Sequence, residues 1–184
     1  MPTIVRLFWK EGFGRMTLDQ VASALSVTKP TLFRTLGDKE GIFAKALQAY
    51  YQTHIRPGEE RLEAATTLRE GVEGCFAFSV ARILDPNNPH GCFLTDTTLS
   101  GEFTTGPIAE TIETLQDHTL QLLRRRAHEA IDSGELRPTT DPDAVVRYLL
   151  AQFAALSAVS RLDADRESLD AIVGFMVDGL PWAT

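Results

Sequence analysis

The short segment from Thr28 to Arg34 contains the residue types that bind DNA. Its polar side chains are Thr28, Lys29, Thr31 and Arg34. Hydroxyl groups and cations of this kind bond to base edges and phosphate oxygens when a helix enters the major groove. The apolar face of the same predicted helix consists of Leu32, Phe33 and Leu36. The first hypothesis for this segment is therefore recognition of a nucleic acid.

Two short helices joined by a tight corner are predicted to present this segment. Thr17 is the candidate N-cap of the first helix, and Gln20 completes a capping box three residues later. The apolar stripe of that helix consists of Leu18, Val21, Ala22 and Leu25. Thr28 can cap the second helix, which Gly37 ends. This arrangement matches the helix-turn-helix unit, although spacing alone leaves open an ordinary helical corner with a polar exposed face.

The continuous stretch LFWKEGFGRMTLDQVASALSVTKPTLFRTLGDKEGIF resembles the N-terminal DNA-binding domain of the TetR family of bacterial transcriptional repressors. The matching residues are Leu7, Phe8 and Gly12 near the end of the first helix, Thr17 at the start of the second, Thr28, Thr31, Leu32 and Phe33 in the third, and the run from Leu36 to Glu40. Matching motifs cover about the first 50 residues. The remainder of the chain resembles the family only in its predicted helical architecture.

This resemblance implies an all-α fold with two domains. A three-helix helix-turn-helix DNA-binding domain would occupy residues 1–45, and a larger helical ligand-binding and dimerisation domain would occupy residues 46–184. The first predicted helix runs from Pro2 to Glu11 and ends at Gly12. It is shorter than is usual in the family, so we expect either a truncated or misassigned start or weakened DNA affinity.

Residue types and the resemblance together assign the DNA-binding candidates. We assign contacts with base edges or nearby phosphates to Thr28, Lys29 and Thr31, and contacts with phosphates to Thr17, Arg34 and Lys39. Phe33 is also a DNA-binding candidate, because the family has a tyrosine there whose hydroxyl bonds phosphate. Ser26 replaces a corner glycine, so we expect it to adopt a left-handed backbone conformation.

Charge is divided unevenly along the chain. Residues 1–56 hold eight Lys or Arg and four acidic residues, a net charge of +4, whereas residues 57–184 hold ten basic and 21 acidic residues, a net charge of −11. A basic N-terminal part suits a protein that contacts DNA with that part only, although chance can also produce such asymmetry. Two cysteines and no visible leader or membrane span favour the cytoplasm.

Five helices are predicted after the helix-turn-helix unit, followed by a last helix that Asp163 or Asp165 opens. They are Lys39 to about His54, ended by Pro57-Gly58; Glu59 to Leu84; about Cys92 to Leu99; Ile108 to Ile131; and a helix that begins at Asp141-Pro142. The last two helices, at about 141–162 and 165–180, are unusually apolar. We expect them to pair with those of a second copy in a two-fold four-helix bundle, the alternative being burial within one chain.

The resemblance also implies that the second domain binds a small molecule and then releases DNA. Candidate lining residues, chosen as aromatic or polarizable side chains in the middle of that domain, are Phe76, Cys92, Phe93, His118 and Phe153. For each of them singly, ordinary core is the simpler interpretation.

Other functional classes have weaker support. Cys75, His90 and Cys92 lack the fourth ligand that a structural zinc site needs, so buried thiols and a loop histidine are the simpler interpretation. No motif for a nucleophile, a phosphate loop or a cofactor is present. The sequence thus predicts a ligand-responsive transcriptional regulator. The alternatives are a helical ligand-binding protein that has lost DNA binding and a small all-helical enzyme.

Overall fold

The computed structural model describes residues 1–162 and 165–183, and all of their regular structure is helical. In order, the helices are α1 (Pro2–Arg15), α2 (Leu18–Ala24), α3 (Lys29–Leu36), α4 (Lys39–His54), α5 (Arg56–Ala64), α6 (Leu68–Ile83), α7 (Phe93–Leu99), α8 (Gly106–Asp132), α9 (Pro142–Val159) and α10 (Arg166–Asp178). The prediction of an all-α protein with an N-terminal helix-turn-helix is confirmed. Among these described residues, no helix has both the length and the hydropathy that crossing a bilayer requires.

Packing divides the chain into two units. Unit 1 contains Met1–Thr53 and Cys92–Leu115, and unit 2 contains His54–Gly91 and Gln116–Thr184. The segment at 92–115, which the sequence assigned to the second domain, therefore packs in unit 1. Packing units are not functional domains, so the functional boundary at residues 45/46 stays a prediction.

Aromatic rings form the interior of unit 1. Phe43 is buried and meets Phe8 at a ring-centroid distance of 4.9 Å and Phe93 at 5.1 Å, in both cases edge to face. Trp9 meets Tyr50 in the same way at 4.8 Å. Edge-to-face contact of this kind is favourable beyond the area it buries. Residues from α1, α4 and α7 thus form one core beneath the helix-turn-helix unit.

Aliphatic side chains dominate the core of unit 2. Its buried members include Leu62, Leu68, Val72, Phe76, Val80, Leu122, Leu123, Leu136, Val145, Leu149, Leu156, Leu169 and Met176. Phe153 lies partly buried against Phe76, with 4.4 Å between ring centroids. This core is built from the apolar stripes of α5, α6, α8, α9 and α10.

The prediction of one helix from Glu59 to Leu84 is wrong. Instead, α5 begins at Arg56 and ends at Ala64, and α6 begins at Leu68. Pro57 therefore lies in the first turn of α5 and is not the residue that ends α4, which stops at His54. Thr67 caps α6 by accepting a hydrogen bond from the Glu70 amide at 3.1 Å. The Thr-x-x-Glu spacing of this cap is visible in the sequence and marks the missed helix start.

Helix starts with an aspartate cap agree with the sequence. Asp141 accepts from the Asp143 amide at 2.9 Å, with Pro142 as the first residue of α9. Asp165 caps α10 by accepting from the Ser168 amide at 2.8 Å. The alternative start at Asp163 lies outside the described residues.

Candidate nucleic-acid interface

A capping box fixes the start of α2. The Gln20 amide donates to Thr17 Oγ1 at 3.2 Å, and the Thr17 amide donates to Gln20 Oε1 at 2.8 Å. These two bonds satisfy amides that a helix start leaves without intrahelical partners. Thr17 stays exposed, as a phosphate contact requires. The predicted box is confirmed.

Ser26 forms the corner between α2 and α3. Its φ of 55° lies in the left-handed region, as expected where the family has glycine. Backbone bonds close the turn, because the Ser26 amide donates to the Ser23 carbonyl and the Val27 amide to the Ala22 carbonyl, both at 3.0 Å. The angle between α2 and α3 is therefore set by backbone hydrogen bonds as well as by side-chain packing.

The α3 helix buries one residue and exposes most of the others. Leu32 is 2% exposed, whereas Leu36 is half-buried and Phe33 is 58% exposed. Phe33 is therefore not part of a buried face, and that prediction is wrong. Neighbours 32 and 33 point about 100° apart on the helix, and α3 packs on the side of Leu32, which leaves the Phe33 ring in solvent. The exposed ring lies among the polar DNA-binding candidates instead.

The N-terminus of α3 presents two hydroxyl groups and one cation. Thr28 Oγ1 accepts from the Thr31 amide at 3.4 Å, and the two threonine hydroxyls lie 3.0 Å apart. Lys29, the first residue of the helix, donates from Nζ to Asp19 Oδ2 at 2.9 Å. Arg34 is exposed at the other end of the helix. All four polar candidates of this segment thus lie on or beside a single short helix.

The Lys39 side chain is held differently. Its Nζ lies over the Phe13 ring, 4.1 Å from the centroid, in a cation–π contact. The Phe13 ring meets those of Phe43 and Phe103 at 5.2 Å each. Asp38 Oδ1 accepts from the Gly41 amide at 2.8 Å and so secures the start of α4. A phosphate-binding lysine at this place would have a partly fixed starting position.

The five ligand-binding candidates are divided between the two units. Phe76 and Phe153 contact each other in unit 2. Cys92 and Phe93 are buried in unit 1, where Phe93 packs on Phe43 and Tyr50. His118, which is half-exposed, lies beside the buried Glu59 in unit 2, with His118 Nδ1 3.3 Å from Glu59 Oε2.

Sequence reasoning missed the buried carboxylate of Glu59. It is 3% exposed, and its Oε1 accepts from Thr119 Oγ1 at 2.6 Å. Arg56 Nη1 lies 3.7 Å from Glu59 Oε2. Burial, together with the nearby Glu59 charge, raises the pKa of the Cys75 thiol to about 12. Cys75 is therefore a protonated, unreactive thiol, and no group of three metal-binding side chains occurs in the described part of the chain.

An open groove of about 360 Å³ runs between α6 and α10 in unit 2. Its rim is charged and contains Arg69, Glu73, Asp170 and Asp178, whereas its floor is formed by small apolar residues such as Ala77 and Val80. Arg69 bridges the groove to Asp178 at 3.1 Å. None of the predicted ligand-binding residues lines it.

Both parts of the chain match family models. Residues 3–46 match the model described as bacterial regulatory proteins, tetR family, and residues 68–176 match the tetracyclin repressor-like, C-terminal domain. The second match alone covers more than half of the chain.

Curated and solved relatives agree with these matches. The HTH-type transcriptional repressor ComR of Escherichia coli (strain K12) is 29% identical over 181 residues, covering 92% of this chain and 81% of ComR. A cysteine mutant of the TetR family regulator CifR, solved with a 26-base-pair operator DNA, is 26% identical, with a TM-score of 0.87 and coverage of 98% and 94%. AibR, solved with isovaleryl coenzyme A and operator DNA, has a TM-score of 0.78 at 17% identity and coverage of 97% and 94%, a likeness of fold.

Proposed function

Because the chain belongs to the TetR family of bacterial transcriptional regulators, we propose that it is a repressor that binds a palindromic DNA operator as a homodimer and leaves it when a small-molecule effector binds. One observation carries the proposal. The α3 helix buries Leu32 and presents Lys29, Phe33 and Arg34 to solvent on a doubly capped helix pair. An exposed, rigid helix with cations and hydroxyls is what major-groove binding requires.

In this proposal the DNA-binding domain is residues 1–45, and α3 lies in the major groove. Thr28, Lys29 and Thr31 contact base edges or nearby phosphates, because they lie at the helix start. Phosphate contacts from Thr17, Arg34 and Lys39 fix the position of the protein along the duplex. The exposed ring of Phe33 adds an apolar contact, of the kind that thymine methyl groups accept.

Dimerisation is proposed to use α9 and α10. On α9 the exposed side includes Ala151, Ala155 and Ala158, small residues spaced so that a neighbouring helix can approach closely. Beyond this stripe Leu162 is 76% exposed, and on α10 Phe175 is 79% exposed. Large exposed apolar groups beside small ones favour burial against a second copy. Two copies would then offer two α3 helices to half-sites about one helical turn apart, or a multiple of it.

Residues 46–184 are proposed to contain the effector site, with Phe76, Cys92, Phe93, His118 and Phe153 as candidates for its lining. The effector must prefer one arrangement of the two DNA-binding domains over another, since a ligand with no preference shifts no equilibrium. We expect the protein to act in the cytoplasm, because its proposed partner is chromosomal DNA.

The test is selection of duplexes from a random pool with the full chain, followed by affinity measurement by fluorescence anisotropy. We expect a two-fold symmetric consensus. Lys39→Ala should weaken binding to all sequences and lower the slope of log K against log salt by about one, because one phosphate contact is lost. Lys29→Ala or Thr31→Ala should instead change the selected bases.

Arg125→Ala is the matched control, since it removes one positive charge from unit 2, where Arg125 is exposed on α8 and paired with Glu63 at 3.3 Å. It should leave both affinity and salt slope unchanged. Failure of the wild-type chain to enrich any duplex would overturn the proposal, and an equal effect of the control and Lys39→Ala would remove the assignment of Lys39.

A further inference from the structure

An ion pair joins the two helices of the helix-turn-helix unit on their exposed side. Lys29 Nζ lies 2.9 Å from Asp19 Oδ2, with the side chains 53% and 70% exposed. Asp19 is in the first turn of α2, and Lys29 is the first residue of α3. No other acidic residue occurs between Met16 and Gly37. The one carboxylate of this surface is thus bonded to the cation at the start of the DNA-binding helix.

We propose that Asp19 restrains Lys29 in an ion pair that operator binding has to break, and so limits discrimination between the operator and other DNA. The proposal rests on the proposed function, because it concerns DNA binding by α3. Asp19 would lower the affinity for the operator more than the affinity for arbitrary DNA, because only the operator complex loses the ion pair.

Electrostatics give the direction of the effect. In a complex with arbitrary DNA, Lys29 has no matching base acceptor and stays paired with Asp19, so it neutralises no phosphate. In the operator complex, Lys29 donates to base acceptors such as guanine O6 and N7, which compensates for the lost ion pair. An exposed ion pair is weak enough to be exchanged in this way.

Removal of the Asp19 charge should then free Lys29 for a phosphate in the non-specific complex. One added phosphate contact raises affinity and makes the salt dependence steeper by about one unit of slope. The operator complex gains more, because the wild type has to break the Asp19–Lys29 ion pair to form it, whereas the arbitrary complex keeps that pair. The ratio of specific to non-specific affinity should therefore rise.

The experiment compares Asp19→Asn with the wild type on two duplexes, one of arbitrary sequence and one enriched by the wild type, across a salt series. We expect Asp19→Asn to bind the enriched duplex roughly threefold to fivefold more tightly at low salt, because an exposed ion pair no longer has to be broken. On the arbitrary duplex the gain should be clearly smaller, with the salt slope steeper by about one. In a Lys29→Ala background, Asp19→Asn should no longer change the slope.

Glu129→Gln is the matched control. Glu129 is likewise an exposed acid on a helix, and its Oε2 accepts from Arg126 Nη1 at 2.8 Å, but it lies on α8 in unit 2, outside the helices proposed for dimerisation. It should change neither duplex affinity. Circular dichroism and sedimentation of both variants should match the wild type, so that folding and association are excluded as causes.

Three results would overturn the proposal: equal gains on both duplexes, a weaker operator complex, or the same slope change without Lys29. A fourth result would also reject it: the wild type binds DNA, and Asp19→Asn binds both duplexes with the same affinity as the wild type. That result would leave the proposed function standing. A wild type that binds no duplex at any salt concentration rejects the proposed function first and the role of Asp19 with it.

Discussion

Large apolar side chains are buried in the interior of unit 1 but exposed to solvent on and just after α9 and on α10 in unit 2. Phe8, Phe43 and Phe93 are at most 2% exposed, whereas Phe175 is 79% and Leu162 is 76% exposed. Phe33, at 58%, resembles the second group although it belongs to unit 1. The same residue type therefore stabilises the fold in one place and is exposed, and so available for the proposed contacts, in another. Burial, not residue type, indicates which.

Phe43→Ala should have the largest effect on this comparison. The ring is 1% exposed and contacts Phe8, Phe13, Phe93 and Phe103, so its removal leaves a cavity in a packed core. We expect the free energy of unfolding to fall by about 3–5 kcal/mol. Urea denaturation followed by circular dichroism measures it. A loss below about 1 kcal/mol would show that the aromatic cluster is loosely packed, since a well-packed ring costs several times more.

Phe175→Glu should dissociate the proposed homodimer into its two copies without unfolding either of them. A charge placed in the centre of an apolar interface is expected to weaken dimerisation by about a hundredfold or more, as for a binding hot spot. Sedimentation equilibrium measures the association constant, and Phe175→Leu, which keeps an apolar side chain, is the control. A dimer of unchanged strength would place the interface elsewhere.

Glu135→Ala should have an intermediate effect on stability. The Glu135 carboxylate accepts from the amides of Leu68 and Arg69 at 2.7 Å each, and so caps α6 from a residue far along the chain. Its loss leaves two partly buried amides unsatisfied, at a cost of about 1–3 kcal/mol. Glu135→Gln, which keeps one amide oxygen as acceptor, should lose less. Equal denaturation midpoints for Glu135→Ala and the wild type would contradict the capping role.

Phe33→Ala should leave stability nearly unchanged and weaken DNA binding several-fold. An exposed side chain away from the core typically changes stability by less than about 0.5 kcal/mol. Phe33→Tyr should instead strengthen binding, because the added hydroxyl can donate to a phosphate oxygen. Anisotropy titrations beside thermal denaturation separate the two effects. A strongly destabilised Phe33→Ala would show that this ring packs after all.

The effect that is smallest at neutral pH concerns His54, at the end of α4. Burial, followed by the nearby Arg82 charge, lowers its pKa from 6.5 to about 4. The unfolded chain therefore binds a proton that the folded chain does not between these values, and stability falls as pH drops from about 6.5 towards 4. In His54→Gln that part of the pH dependence should be absent. Identical pH profiles of the unfolding free energy in both proteins would contradict the assignment.

Features encoded by neighbouring residues could be predicted from the sequence. The Thr17–Gln20 box, the left-handed Ser26, the span of α4 to about His54 and the aspartate cap of α9 all depend on residues within a few positions of each other. For α10 the sequence left the choice between Asp163 and Asp165 open. Short-range rules suffice there, because caps and turns satisfy their own backbone groups.

Features that depend on distant residues could not be predicted. The packing of residues 92–115 within unit 1, the burial of Glu59 and the capping of α6 by Glu135 each join segments far apart in sequence. The misassigned Phe33 has a related cause. Helical spacing identifies an apolar neighbour of Leu32, but only the packed structure decides which of two adjacent side chains faces the core.

The residues that follow α10 pair with residues that precede α9. Leu136 and Trp182 form an antiparallel bridge, the Ala183 amide donates to the Glu135 carbonyl at 2.9 Å, and the Arg69 guanidinium lies 4.3 Å from the centroid of the Trp182 indole. The segment that contains α9 and α10 is consequently tethered at both of its ends within a single chain. Association through these helices would then join preorganised surfaces, and little conformational entropy would remain to be lost when a second copy arrives.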